Sequence, residues 1–278
     1  MGTSELTVRE FLRFAVRCGS WEWVRQDFAA EFAKLRDGNA LTPGGASPTL
    51  WRTSSKFVLK LTANGGDAVY KCSFRFKSAA QYWLRLSPSA KEAFNMLRIG
   101  ALGFPVPELL AVGETRNFRN LKSSFMVTSF IDSLDGRDFC IGEKREDDDP
   151  SKMRFCSEHL KLLAKLHNRG FLHHNFTPFN LLYRQDGDVW HSWWIDLATC
   201  RRAYAIGLRD ISKEIFKLLQ YLKLSPEQRR KLVSDYVAAA QIPQGDIDKL
   251  CGLIEKLRLK KLKKEQRKAA SQAHGKRG

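Results

Sequence analysis

The chain has 278 residues, 43% of them hydrophobic, and a formal net charge of +17. That length and apolar content allow a sizeable core, in one bilobal unit or two small domains, and the positive charge selects anionic partners: nucleic acid, acidic lipid, sugar phosphates or nucleotide. No apolar run approaches the roughly 18 residues needed to cross a bilayer, and Cys18, Cys72, Cys140, Cys156, Cys200 and Cys251 show neither C-x-x-C nor metal-ligand spacing, which excludes a membrane span and a disulfide or zinc framework.

At the N-terminus, MGTSELTVREFLRF lacks the apolar core of a signal peptide and Leu6 breaks the myristoylation pattern, so a cytoplasmic protein is expected, with room for contact at a membrane surface. Val8, Phe11, Leu12, Ala15 and Val16 fall on one face of a helix that Thr7 caps. A second helix is expected after Ser20, with Trp21, Val24, Phe28, Phe32 and Leu35 on its stripe and Asp37–Gly38 at its end. Acidic residues interrupt both stripes, which favours packing on a small lobe over an interfacial anchor. Residues 39–54 are rich in Gly, Pro, Ser and Thr and form a loop, in which Gly44–Gly45 reads either as a phosphate-covering turn or as an ordinary connector. Lys56–Thr62 and Ala68–Phe74, joined by Ala63-Asn64-Gly65-Gly66, form an antiparallel hairpin. Ser87 and Pro88 then open a helix that passes Glu92, Phe94, Leu97 and Leu102 and stops at Gly103. Ser124–Ile131 reads as a strand.

Residues 132–150 are acidic and polar, and the run Glu146-Asp147-Asp148-Asp149 reads as a solvated loop, because adjacent carboxylates without a rigid support repel one another. A helix from Ser151 to Asn168 closes at Gly170. Leu181-Leu182-Tyr183 and Trp193-Trp194-Ile195 flank a polar segment containing Asp186–Gly187, a second hairpin signal. Such a hairpin places Asn180 and Asp196 at one end, with Asn175 just upstream, and an amide with a carboxylate are suitable hard ligands for a magnesium ion carrying nucleotide phosphates. Arg201 and Arg202 read equally as a phosphate fork and as exposed loop charges. Helices are expected over Leu208–Leu222, after the Ser225–Gln228 capping box, and from Asp246. The tail from Lys256 to Gly278 holds ten Lys or Arg against Glu265 alone. Three readings stay open for it: adsorption to an anionic membrane surface, non-specific nucleic-acid contact, and a frayed solvated tail. No nucleic-acid motif accompanies it, so nucleic acid is not an expected partner.

Several of these segments match one pattern. His173-His174-Asn175 followed by Asn180 has the spacing of H-x-D-x-x-x-x-N, with asparagine in the aspartate position. Asp196-Leu197-Ala198, preceded by an apolar strand, stands where D-F-G is expected, and Ala68-Val69-Tyr70-Lys71 is close to V-A-I-K. Gly103-Phe104-Pro105-Val106-Pro107 is similar to a Gly-x-Pro-Val-Pro segment. On these residues the chain resembles the kinase superfamily and, within it, the lipopolysaccharide core kinases, which phosphorylate Kdo or heptose sugars. The resemblance covers roughly residues 55–240. It implies an α+β, bilobal protein-kinase-like fold, with a small antiparallel-sheet N-lobe and a mostly helical C-lobe. The arrangement would be an N-terminal helical extension (1–40), an N-lobe (41–131), a C-lobe (132–255) and a basic tail (256–278).

It also implies ATP and Mg2+ as cofactors and a sugar hydroxyl of the lipopolysaccharide inner core as acceptor. Residue by residue, Lys71 would steady the phosphates and Glu92 position Lys71. Thr128 would abut the adenine pocket, and the backbone of Ser129 to Ile131 would hydrogen-bond adenine. Asn180 and Asp196 would hold magnesium, Asp210 would accept backbone hydrogen bonds from the catalytic loop, and His167 would be structural. Asn175 takes the place of the residue that orients the acceptor hydroxyl and accepts its proton. An amide orients but is a very poor base, a loss on the order of 10² to 10⁴ in rate. Two readings therefore compete: an active kinase, with His173 or His174 as substitute bases, and a pseudokinase that binds nucleotide or serves as a scaffold.

Overall fold

The chain folds into two compact units, Met1–Asp132 with Trp193–Ala198, and Ser133–Ser192 with Thr199–Gly278. The computed structural model describes residues 6–15, 19–63, 66–74, 76, 82, 85–117, 119–140 and 150–275. Val16, the turn residues Asn64 and Gly65, and the acidic run 146–149 lie outside them.

The first unit is built on a six-stranded, wholly antiparallel sheet of β1 (Trp21–Val24), β2 (Thr49–Arg52), β3 (Lys56–Leu61), β4 (Ala68–Phe74), β5 (Leu109–Asn117) and β6 (Asn120–Ser129), in the order β1-β5-β6-β4-β3-β2. Strict alternation sets its two faces. Phe57, Leu59 and Leu61 of β3 and Ala68, Tyr70 and Cys72 of β4 are buried, with Ala111 and Val127, against Phe28 and Phe32. Phe32 belongs to α2 (Ala29–Asp37) and stacks on Phe125 at 5.6 Å. The residues between them, Val58, Lys60, Val69 and Lys71, are half-buried and point to the opposite face.

One expectation fails here. The helix foreseen after Ser20 is instead strand β1, paired with β5 through Trp21 and Glu114, followed by a turn and then α2. Trp21, Val24, Phe28 and Phe32 fit a 3.6-residue stripe as well as two separate elements, and the sheet edge offered by β5 decides between them. Before it, α1 (Val8–Ala15) has the expected Thr7 cap, with Thr7 Oγ1 accepting the Glu10 N–H at 3.2 Å and Glu10 accepting the Thr7 N–H at 2.9 Å.

Helix α3 (Pro88–Ala101) opens with Ser87 Oγ accepting the Ala90 N–H at 3.2 Å. Its inner side buries Ala90, Ala93, Met96 and Ile99 together with the polar Glu92 and Asn95. Asn95 Nδ2 donates to the Leu197 carbonyl at 2.8 Å, and Trp194 N–H to the Pro105 carbonyl at 2.9 Å while its ring stacks on Phe104. These bonds hold the Trp193–Ala198 segment in the first unit.

The second unit is mostly helical: α4 (Arg137–Cys140), α5 (Pro150–Asn168), α6 (Leu208–Leu219), α7 (Pro226–Ala240) and α8 (Asp246–Gly275). Its strands are β7 (Leu134–Asp135), β8 (Phe171–Leu172), β9 (Leu181–Asp186), β10 (Val189–Trp194) and β11 (Arg201–Arg202). The β9–β10 hairpin turns at Gly187, whose φ of 59° suits glycine. Phe139, Phe155, Leu160, Leu163 and Tyr183 share the core with Leu232, Tyr236 and Leu250. Ser225 and Gln228 form the expected capping box of α7.

Among the described residues the tail is helical. Helix α8 runs unbroken through Gly275, as a sequence of Lys, Leu, Arg, Gln and Ala with no interior proline favours, with Glu255–Arg258 at 2.7 Å and Lys261–Glu265 at 3.8 Å adding support along it.

Inside α5 the wholly buried His159 donates from Nδ1 to the Phe155 carbonyl at 2.9 Å, and its ring lies 4.4 Å from that of Phe155. Burial pulls its pKa down from 6.5 to about 4. Between those values the unfolded chain binds a proton that the folded chain refuses. Stability is therefore expected to fall as pH drops from 6.5 to 4, by up to about 3 kcal/mol. Urea unfolding at a series of pH values should show this slope in the native protein and a flatter one in His159→Gln.

Candidate active site

In the first unit, Lys71 lies mid-strand in β4 on the sheet face opposite the α2 core. Its Nζ donates to Glu92 Oε2 at 2.6 Å and lies 3.7 Å from Asp196 Oδ1. The Glu92 side chain is only 5% exposed, whereas Lys71 is 24% and Asp196 36% exposed. Burial pulls the ammonium's pKa down, but Glu92 and Asp196 outweigh it and the net shift is upward, so Lys71 is firmly cationic. Glu92 is turned toward it by α3, within the helix's second turn. Asp196 has a left-handed backbone (φ 56°), a conformation an aspartate tolerates better than most residues.

The register across β3, β4 and β6 sets Val58, Lys71 and Met126 abreast, and next to them Lys60, Val69 and Thr128. This face thus offers half-buried apolar ground, on which a planar base can lie, beside a fixed cation. Val58 and Val69 were not singled out from the sequence, although the alternation that buries Phe57 and Leu59 already turns Val58 the other way. Thr128 is buried. The Ser129 N–H donates to the Glu108 carbonyl at 2.9 Å and the Phe130 N–H to the Asp67 carbonyl at 2.9 Å, so both donors are used within the unit. Any contact from 129–131 to a base must use other groups of that segment. Gly44–Gly45 lies in the irregular stretch before β2.

In the second unit, the loop after β8 is held by its backbone. The His173 N–H donates to Glu214 Oε2 at 3.1 Å and the His174 N–H to Glu214 Oε1. The His173 carbonyl accepts from Thr199 Oγ1 at 3.0 Å, and the His174 carbonyl from Lys217 Nζ. The Asn175 carbonyl accepts from Asn180 Nδ2 at 2.9 Å and from the Thr177 N–H at 2.8 Å. His174 itself is left-handed (φ 62°), a conformation sustained by this dense set of bonds.

The carboxylate that gathers the loop is Glu214, one turn along α6 from the residue expected to do so. Asp210 pairs instead with Lys213 at 3.1 Å, at the helix start. A glutamate four residues further into the helix has the longer reach and the buried position, and the sequence signal that it left was a charged residue on the apolar face of α6. Burial pushes Glu214 up, but the hydrogen bond from His167, the nearby His167 and His173 rings, and the His174 N–H together hold it below the usual carboxylate range. His167 joins α7 to the same point, with Nδ1 2.6 Å from Tyr236 Oη and Nε2 3.0 Å from Glu214. Its structural role, expected from sequence, is that of a buried bridge between α5, α6 and α7.

Each of the two histidines beside Asn175 has one ring nitrogen engaged. His173 Nδ1 accepts the Asn175 N–H at 3.3 Å, and His174 Nε2 accepts from Arg201 Nε at 2.6 Å. Burial, with Arg201 and Lys217 acting in the same direction, lowers the His174 pKa, so its imidazole is neutral. Both arginines are exposed, and Arg201 is tied to the loop by its bond to His174.

Asn180 lies in the second unit and Asp196 in the first, and β10 passes from one to the other. The Asn180 amide nitrogen is committed to Asn175, so Oδ1 is the atom it can offer a cation. Among the described residues no three His, Cys, Asp or Glu side chains gather as a metal centre. The donors at issue are of another kind, one amide oxygen and one carboxylate, and their hardness fits magnesium.

Comparison with known proteins agrees with this fold. Among solved structures the chain is similar to WaaP in complex with acyl carrier protein, with a TM-score of 0.62 and 15% identity over 86% of this chain and 98% of that one. It is also similar to the Mycobacterium tuberculosis PknI kinase domain, with a TM-score of 0.45 and 12% identity over 75% and 93% of the two chains. No curated protein sequence matches. The fold is α+β, bilobal and protein-kinase-like. The profile of the lipopolysaccharide kinase (Kdo/WaaP) family matches residues 75–250, well over half of the sequence, and the chain belongs to that family.

Proposed function

We propose that the protein is an ATP-dependent kinase that phosphorylates a sugar hydroxyl of the lipopolysaccharide inner core, residues 41–131 holding the nucleotide and 132–255 presenting the catalytic loop. The observation that supports this best is Lys71, fixed between Glu92 at 2.6 Å and Asp196 at 3.7 Å. A lysine that only needed solvent would not be anchored by a carboxylate that is almost wholly buried. In this reading Val58, Val69 and Thr128 receive the base, Lys71 neutralises phosphate oxygens, and Glu92 keeps Lys71 in place. Asn180 Oδ1 and the Asp196 carboxylate would hold Mg2+, which when bound offsets charge on the phosphoryl oxygens. Asn175 orients the acceptor hydroxyl. The acceptor is part of a lipid, which fits a cytoplasmic protein working against the inner face of the inner membrane.

A specific observation also favours the alternative, a pseudokinase. Asn175 cannot accept the hydroxyl proton, and one ring nitrogen each of His173 and His174 is already hydrogen-bonded. The two readings separate in one assay: transfer of labelled phosphate from ATP to Kdo- or heptose-containing core, by the native protein and by Lys71→Met. Transfer that drops at least a hundredfold in Lys71→Met supports the kinase. Equal transfer by both proteins removes Lys71 from the reaction, and metal-dependent ATP binding without transfer to any core sugar supports the pseudokinase.

A further inference from the structure

Helix α8 continues well past the packed part of the second unit. Leu250 and Ile254 are its buried anchors, whereas every residue from Leu262 to Gln272 is exposed. The charges along it divide into two sets. Arg258 and Lys261 are paired with Glu255 and Glu265. Lys256, Lys260, Lys263, Lys264 and Arg267 form no ion pair within 4 Å among the described residues. Together with Leu259 these five line one continuous surface. Their spacing of three and four residues puts them on one side of the helix, over a length of about 17 Å at 1.5 Å per residue.

We propose that this face docks the protein on an anionic phospholipid surface. Five positive charges left unneutralised by the protein itself attract negative charge from outside. Two features select lipid over nucleic acid. Leu259, 46% exposed, lines the same surface as the five cations, where it can enter the headgroup layer but would gain nothing from a phosphodiester backbone. Four of the five cations are lysines, flexible point charges suited to mobile headgroups, whereas fixed phosphate geometry favours the arginine fork. Long lysine stems also lie along apolar ground while their ammonium groups stay in water. Docking of this kind requires neither nucleotide nor Asn175, so it stands independently of the kinase reading.

The test is co-sedimentation of the full-length protein with vesicles of phosphatidylcholine alone or with a third phosphatidylglycerol, at low and at high salt. Binding is expected only to the anionic vesicles and to weaken steeply with salt. The exposed quadruple variant Lys260→Gln, Lys263→Gln, Lys264→Gln, Arg267→Gln should lose about fivefold per charge, several hundredfold in all. Glu265→Gln should bind more tightly, which guards against a fold defect in the first variant. The change Leu259→Ser should weaken vesicle binding while leaving heparin binding unchanged. Equal binding to both vesicle types, an unaffected quadruple variant, or tighter binding to a short DNA duplex than to the anionic vesicles would each overturn the proposal, the last in favour of nucleic acid.

Discussion

Asn175→Asp should raise the rate of phosphate transfer to a core-sugar hydroxyl by a factor on the order of 10² to 10⁴, the usual worth of a general base. The change is confined to one side-chain group. The backbone of Asn175 is fixed by His173, Thr177 and Asn180 through bonds that aspartate can keep. Aspartate has nearly the same shape as asparagine, and the new carboxylate would sit one residue from the point where Arg201 and Lys217 bring positive charge to His174. Those charges favour the ionised form. Single-turnover kinetics with labelled ATP would read the gain. An unchanged rate would mean that proton removal at this position does not limit transfer, and with no transfer in either protein the pseudokinase reading prevails.

The second large effect is expected at Asp196. Asp196→Asn should remove most of the magnesium-dependent stabilisation by ATP, which for a ligand at a hundredfold excess over its dissociation constant amounts to about 2.7 kcal/mol. Asparagine is the informative replacement because it tolerates the left-handed backbone at this position, which alanine would strain. Without nucleotide the variant should differ from the native protein by less than about 1 kcal/mol, since a partly exposed carboxylate 3.7 Å from Lys71 contributes little by itself. Thermal unfolding with and without magnesium and ATP separates the two quantities. A full magnesium-dependent shift in Asp196→Asn would take Asp196 out of the metal site.

Much of the second unit was legible because its signals are local. The Ser225–Gln228 box, the Asp186–Gly187 turn and the 151–168 stripe each fix an element within a few residues. Trp21–Val24 was not legible, because four residues cannot show their own period and the partner strand lies some ninety residues away in sequence. The carboxylate that holds the loop after β8 was missed for a related reason. Asp210 and Glu214 are both acidic residues of α6, and only packing against β8 and α7 tells which one is turned inward. Lys71 and Glu92, by contrast, could be singled out by their order along a known pattern, although no local feature of either residue marks it. The half-buried valines beside Lys71 fall between these cases, visible in the alternation but silent about what they face.

The way β1 and α2 are placed also bears on how the protein can be cut. A truncation at residue 41 would leave β5 as a bare sheet edge and strip Phe28 and Phe32 from Phe57, Leu59, Leu61 and Tyr70. A fragment of that kind would present an open edge and an apolar face together, the two features that most promote aggregation. Strand β1 and helix α2, ahead of the recognisable kinase motifs, are thus an edge and a cover of the first unit's sheet, and a soluble, shorter version of this protein has to keep them.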